Sequence, residues 1–188
     1  HNGEINTLKG NYNWMKVHEQ EMDSPLFEDI ENLKPVIPAG SSDSAALDSV
    51  FELLNISGQP APLAKLMLIP DAWSKKSKTL SKDHQQLFNF LNSTMEPWDG
   101  PAAIAGTDNE WVIAATDRNG LRPMRYTITK DNILCAGSET GMVQLDEKKI
   151  IEKGRLGPGE IIGVRIEKGK VFTNSKIKDF LAKEYKHF

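Results

Sequence analysis

Asn2-Gly3 is the first pair in the sequence whose types suit chemistry. An asparagine side-chain amide and a glycine backbone N–H are two donors that can converge on one oxygen. Such a pair can stabilise the oxyanion of a tetrahedral intermediate. Glycine suits the second place because the backbone must approach a substrate closely. The same dipeptide makes tight turns, so the residues alone leave both readings open. Asp43, within Ser41-Ser42-Asp43-Ser44, is the second candidate. A carboxylate at a helix start can accept a substrate α-ammonium group or serve as a plain N-cap. The two roles are compatible, since a capping carboxylate keeps one oxygen free. The third is Asp117-Arg118-Asn119-Gly120-Leu121-Arg122-Pro123. Its Asn-Gly suits a hairpin reversal between the runs Trp111–Thr116 and Met124–Thr129. Arg118 and Arg122 can bind a carboxylate or serve the structure alone.

Other catalytic schemes fit poorly. His1, His18, His84 and His187 lack any metal-ligand spacing, so no metal site is expected. Cys135, the one cysteine, falls in a predicted strand and reads as a buried inert thiol. Asp146 and Glu147 read as a solvated turn. Gly137, Gly141, Gly154, Gly157 and Gly159 read as turn glycines without a phosphate-loop pattern.

The elements that must position these residues fall into two textures. Residues 1–98 read as mainly helical, 99–174 as mainly strands and 175–188 as a helical tail. Asn6 or Thr7 caps a first helix running to about Glu21, with Trp14, Val17 and Met22 on its apolar face. A second short helix is expected over Pro25–Asn32, before Pro35 and Pro38 stop helical structure. Leu47, Val50, Phe51 and Leu54 recur at helical spacing after Ser41, Ser42 or Asp43 as cap. Gly58, Pro60 and Pro62 end that helix. Pro62–Leu68 and His84–Leu91 are further helices. Strands are expected over Ala102–Gly106, Trp111–Thr116, Met124–Thr129, Ile133–Ala136, Ile161–Ile166 and Lys170–Thr173, separated by hairpin signals. These runs predict an α+β domain with antiparallel sheet and layered helices.

Composition narrows the class. With 188 residues, 39% hydrophobic and 26% charged, the chain can bury a real core within one domain or a large piece of one. A net charge of −3 gives no reason to expect a nucleic-acid partner. The basic stretch Lys75, Lys76, Lys78 and Lys82 reads as a solvated loop. A lone cysteine precludes an intrachain disulfide and fits a reducing cytoplasm. No apolar run approaches the roughly 20 residues of a membrane span, so no membrane partner is expected. The sequence opens His1-Asn2-Gly3 without an initiator Met, so further chain is expected upstream.

Five stretches together resemble one family. His1-Asn2-Gly3-Glu4-Ile5-Asn6-Thr7, with Gly10-Asn11 and Asn13-Trp14-Met15, is similar to a segment of the glutamate synthase large subunit. So are Gly40–Asp48, Met95–Ala102, Asp117–Pro123 and Gly137-Ser138-Glu139, and in the same order. Each is modest alone; their order makes the likeness specific. The fuller wording of His1–Thr7 and Glu96–Pro101 separates it from the class II domains of asparagine, purine and aminosugar synthesis.

The resemblance implies a class II glutamine amidotransferase domain with an N-terminal-nucleophile hydrolase fold. Its architecture is a four-layer αββα arrangement with antiparallel sheets, of which this chain holds the later part. In that family a mature N-terminal cysteine attacks the glutamine amide with its own α-amine as base. Glutamate and ammonia result. Ammonia passes to a flavin site, meets 2-oxoglutarate, and the iminoglutarate formed is reduced to a second glutamate. Carried over residue by residue, Asn2 and Gly3 match the oxyanion-hole pair. Asp43 matches the residue holding the glutamine α-amino group. Asp117–Pro123 is a signature near the site without a catalytic role. FMN and an iron–sulfur cluster are implied for the parent, and no cofactor for this segment. Implied partners are glutamine, the rest of the large subunit, and an electron-donating subunit or ferredoxin. Cytoplasm is the implied location, or plastid in a plant or alga.

The departures from the family also set expectations. Residues 1–188 contain neither the N-terminal cysteine nor the upstream arginine that grips the substrate carboxylate. The piece is therefore expected to be inactive alone, with sheet edges left uncovered. A non-catalytic glutamine-binding or assembly module is the alternative.

Overall fold

The computed structural model describes residues 1–72 and 81–185. Lys75, Lys76 and Lys78 of the basic stretch, and residues 186–188 of the tail, lie outside them.

Five α-helices occur among the described residues. They are α1 (Leu8–Glu21), α2 (Asp43–Ile56), α3 (Ala61–Leu68), α4 (Lys82–Thr94) and α5 (Asn174–Glu184). The cap of α2 is Ser42, whose hydroxyl accepts from the Ala45 N–H at 3.2 Å. Ala46, Leu47, Val50 and Leu54 form its buried stripe. Gly58, at φ +89°, follows the end of α2, and Pro60 and Pro62 open α3. That short helix is buried on nearly every side and forms the centre of the helical layer.

Helix α1 turns a different face inward than its apolar spacing suggests. Asn11 and Met15 are buried, while Trp14 is 51% and Val17 49% exposed. Asn11 is satisfied inside: its amide donates to the Pro97 carbonyl at 3.1 Å and its Oδ1 accepts from Thr7 Oγ1 at 2.5 Å. A bonded asparagine is thus admitted where periodicity alone would place an apolar residue. Over Pro25–Asn32 no α-helix forms; a 3-10 turn spans Ile30–Leu33 after a bend.

Among the described residues, eight strands make two antiparallel sheets. The larger runs β1-β2-β3-β7-β8, from Asn2–Gly3, Ala102–Thr107, Trp111–Thr116, Ile161–Arg165 and Lys170–Phe172. The smaller runs β5-β4-β6, from Leu134–Gly137, Arg125–Thr129 and Ile150–Arg155. Period-two alternation sorts the large sheet into two faces. Ala102, Ile104, Trp111, Ile113, Ala115 and Ile161 pack against the helices. Their neighbours Ala103, Ala114 and Ile162 pack instead with Met124 and Leu156. Helices, five-stranded sheet and three-stranded sheet therefore stack in that order, as an α+β domain of the αββ kind.

One expected hairpin is absent. Strands β3 and β4, on either side of Asn119-Gly120, belong to different sheets. The segment 117–124 is a crossover between the layers. Its course is fixed by Asp117, whose backbone N–H donates to Ala102 O and whose carbonyl accepts from Gly159 N, both at 2.8 Å. The other turn signals do make hairpins, joining β2 to β3, β4 to β5 and β7 to β8. Cys135, on β5, is half-buried rather than enclosed.

Candidate site at the junction of β1, β2 and α2

Strand β1 pairs with the start of β2, Asn2 opposite Ala103 and Gly3 opposite Ala102. Gly3 has φ +151°, and a Cβ there would lie 1.8 Å from the Pro101 carbonyl oxygen. Only glycine fits this crossing. The chain then stays bound to the same partner segment: Glu4 N–H donates to Pro101 O and Asn6 N–H to Asp99 O, each at 2.8 Å.

Asp43 closes the junction from the helical side. With Ser42 as cap, Asp43 is the first residue of α2, where the positive end of the helix dipole favours a carboxylate. Its Oδ2 accepts from the Ile5 N–H at 2.8 Å, and its Oδ1 from the Ser44 N–H at 2.7 Å. The Ile5 N–H, followed by the Ser44 donors, holds its carboxyl below the usual range against the opposing effect of burial. The same Oδ2 lies 3.8 Å from His1 Nε2. That imidazole is 2% exposed, and neither ring nitrogen has a hydrogen-bond partner. Asp43 thus reaches residues on both sides of Asn2-Gly3, and the three sequence candidates meet in one place.

A fourth residue joins them. The Asn2 side-chain oxygen accepts a hydrogen bond from Arg122 Nη2, 120 positions away. Arg122 is carried by the β3–β4 crossover, which Asp117 organises. The Asp117 side is 1% exposed, and its carboxylate accepts from four backbone N–H groups. Oδ1 takes those of Asn119 at 3.1 Å and Leu121 at 3.0 Å. Oδ2 takes those of Arg122 at 2.9 Å and Ala102 at 3.1 Å. The sequence carried a partial signal for this, since Asp and Asn bond nearby backbone in turns. The bond to Ala102 had none.

Behind the crossover, Gly159 donates to Asp117 and accepts from the Lys65 ammonium at 2.7 Å. Lys65 is fully buried on α3, and burial pushes its pKa down to about 8, with Asp71 nearby opposing that effect. A cavity of about 580 Å³ lies between α2 and β2, lined in part by His1, Ser44, Asp48, Phe51, Lys65 and Ile104. It adjoins the junction through His1 and Ser44 but is not lined by Asn2, Gly3 or Asp43.

Among the described residues no helix is long and apolar enough to cross a membrane. Comparison with known proteins gives a consistent answer. The chain is 56% identical over 183 residues to the glutamate synthase [NADPH] large chain of Azospirillum brasilense, covering 97% of this chain and 12% of that one. It is 42% identical to the chloroplastic ferredoxin-dependent glutamate synthase 2 of Arabidopsis thaliana, covering 97% and 11%. It is 42% identical to the glutamate synthase [NADH] of Saccharomyces cerevisiae, covering 97% and 8%. The chain thus spans about an eighth or less of these relatives. Residues 1–188 match the class-II glutamine amidotransferases throughout. The likeness to glutamate synthase large chains extends over nearly the whole of this chain, and the chain belongs to the class-II glutamine amidotransferase family.

Proposed function

We propose that this chain is part of the glutamine-hydrolysing domain of a glutamate synthase large chain. In this reading Asn2 and Gly3 supply the two donors for the oxyanion formed when the glutamine amide is attacked. Asp43 accepts the glutamine α-ammonium group. The observation that carries the reading is the placement of Asp43. Its carboxylate is kept ionised by backbone donors and bonds to Ile5, two residues beyond the oxyanion pair. A fixed anion beside fixed donors suits a substrate with an ammonium at one end and an amide at the other.

The attacking thiolate is supplied from outside residues 1–188. The cysteine within them, Cys135, lies on β5 of the smaller sheet, whereas Asn2 lies on the larger. The reduction of the 2-oxoglutarate adduct also belongs elsewhere. A single cysteine does not fit the ligand set of an iron–sulfur cluster, which takes several thiolates. Relatives named for NADPH, NADH and ferredoxin align over nearly the same stretch, so the electron donor is selected by other parts of the molecule.

The 188-residue polypeptide therefore releases no glutamate from glutamine, while the complete large chain carrying it does. Asp43→Ala in the complete chain abolishes or sharply weakens that release. Glutamate formed by the 188-residue polypeptide above a blank, and lost on Asp43→Ala, would refute the division of labour. Unchanged glutamine use by the complete Asp43→Ala chain would refute the substrate role.

A further inference from the structure

We infer that Arg122 is a positioning residue for the oxyanion donor, fixing which way the Asn2 amide faces. This inference rests on the glutaminase reading above.

An asparagine amide can present either its oxygen or its NH2 group to a neighbour, and the two orientations are nearly equal in shape. Only one of them leaves a donor for an oxyanion. An arginine side chain resolves the choice because guanidinium has five N–H donors and no acceptor. The atom of Asn2 that meets Arg122 Nη2 must therefore be Oδ1. The NH2 group then points the opposite way, where it can donate to a developing negative charge. A charged donor also polarises the amide and strengthens its outward N–H bonds.

Arg122 is itself held. Pro123 disfavours helical backbone at Arg122, and the Arg122 N–H is bound to Asp117 Oδ2. The same oxygen binds the Ala102 N–H, and Ala102 is the strand partner of Gly3. One carboxylate oxygen therefore sets both halves of the donor pair: Gly3 through Ala102, and Asn2 through Arg122. Arg122 Nε is buried without a partner, an orphan donor accepted at the centre of this arrangement. Such a cost is expected where geometry is held for function rather than for stability.

The test uses the complete glutamate synthase large chain that contains this domain, measuring glutamate release under steady state. Asn2→Ala is expected to lower kcat by about 100- to 1,000-fold, the usual loss for one oxyanion donor. Arg122→Met is expected to lower kcat by about 10- to 100-fold with KM for glutamine within twofold. Arg122→Lys, still a pure donor, recovers part of that loss. The double variant Asn2→Ala, Arg122→Met is no slower than Asn2→Ala alone, because the arginine acts only through the asparagine. Thermal unfolding checks that each variant is folded; if Arg122→Met is not, Arg122→Gln takes its place with the same expected direction. A raised KM with unchanged kcat would make Arg122 a ligand of the substrate carboxylate and overturn the inference. Additive losses in the double variant would overturn it too. If Asn2→Ala is slow and Arg122→Met is not, only this inference fails. If Asn2→Ala itself runs at the wild-type rate, the glutaminase reading fails.

Discussion

Gly3 and Gly100 interlock across the β1–β2 junction. A Cβ on Gly3 would fall 1.8 Å from the Pro101 carbonyl oxygen, and one on Gly100 would fall 2.1 Å from that of Glu4. Each glycine makes room for the backbone beside the other, and both have φ values, +151° and +141°, that side-chain-bearing residues rarely adopt. Only Gly3 belongs to the proposed donor pair. Gly100→Ala should nevertheless cost about as much as Gly3→Ala, on the order of 2–3 kcal/mol from strain and clash. Urea titration measures the stability loss, and steady-state glutaminase assays of the complete chain should show a fall in kcat for both. A Gly100→Ala variant of full stability would contradict the interlock.

Asp117→Ala should be among the most destabilising single changes in the domain. It strips the acceptor from four backbone N–H groups, three within the crossover and one, Ala102, on β2. Leaving such donors unpaired costs roughly 1–3 kcal/mol each where they stay buried, so a loss of about 3 kcal/mol or more is expected. Asp117→Asn retains one acceptor oxygen and should fall between. Chemical denaturation of the three proteins orders them.

Asp43→Asn should act on glutamine binding before it acts on turnover. A hydrogen bond to a charged group is worth about 1.5–3 kcal/mol, so KM for glutamine should rise roughly 10- to 100-fold. The acid limb should also change. The folded pKa of Asp43 is depressed, chiefly by the Ile5 N–H. Its stabilising contribution is therefore complete above the unfolded value near 3.8 and is lost as pH falls through the lower folded value. Acid unfolding followed by circular dichroism should be less steep in Asp43→Asn than in the wild type.

Lys65 should give the chain a rising stability in mild alkali. Its pKa is pushed down to about 8 from 10.5 by burial. Between those values the unfolded chain binds a proton that the folded chain does not, so unfolding becomes harder as pH rises. Below about pH 8 both states are protonated and the slope vanishes. The full gain is on the order of 3 kcal/mol. Tyr126 and Tyr185, both raised above 10, work in the opposite sense at the upper end of the range. Comparison with Lys65→Met isolates the lysine: the wild-type urea midpoint should climb from pH 8 to 10 relative to the variant.

The sequence made the local elements legible. Helix α2 follows from its Ser-rich cap and the spacing of Leu47, Val50 and Leu54, and the β2–β3 hairpin from its turn residues. Neither needs distant partners. Strand β1 was not legible, because two residues carry no period. Nor was β6, where Glu152, Lys153 and Arg155 interrupt any apolar alternation and all three are exposed. The crossover after β3 departs from its local turn signal for a physical reason. Asn119-Gly120 favours a hairpin locally, but the long-range bonds of Asp117 to Ala102 and Gly159 lead the chain to the other sheet. The candidate residues Asn2, Gly3 and Asp43 could be picked by type and resemblance. Arg122 stands out in the sequence only as a possible carboxylate binder; its connection to Asn2 spans most of the chain and leaves no local signal.

The crossover also determines what kinds of damage the protein can tolerate. A single loop both stitches the two sheets together and carries the arginine at Asn2. Met124 and Leu156 pack between the sheets, and the Leu156 N–H bonds the Met124 carbonyl just beyond that loop. A slip of one layer over the other would therefore displace the loop that carries Arg122. Under the proposed function, the contact between the two sheets and the facing of the Asn2 amide therefore depend on one and the same stretch of chain.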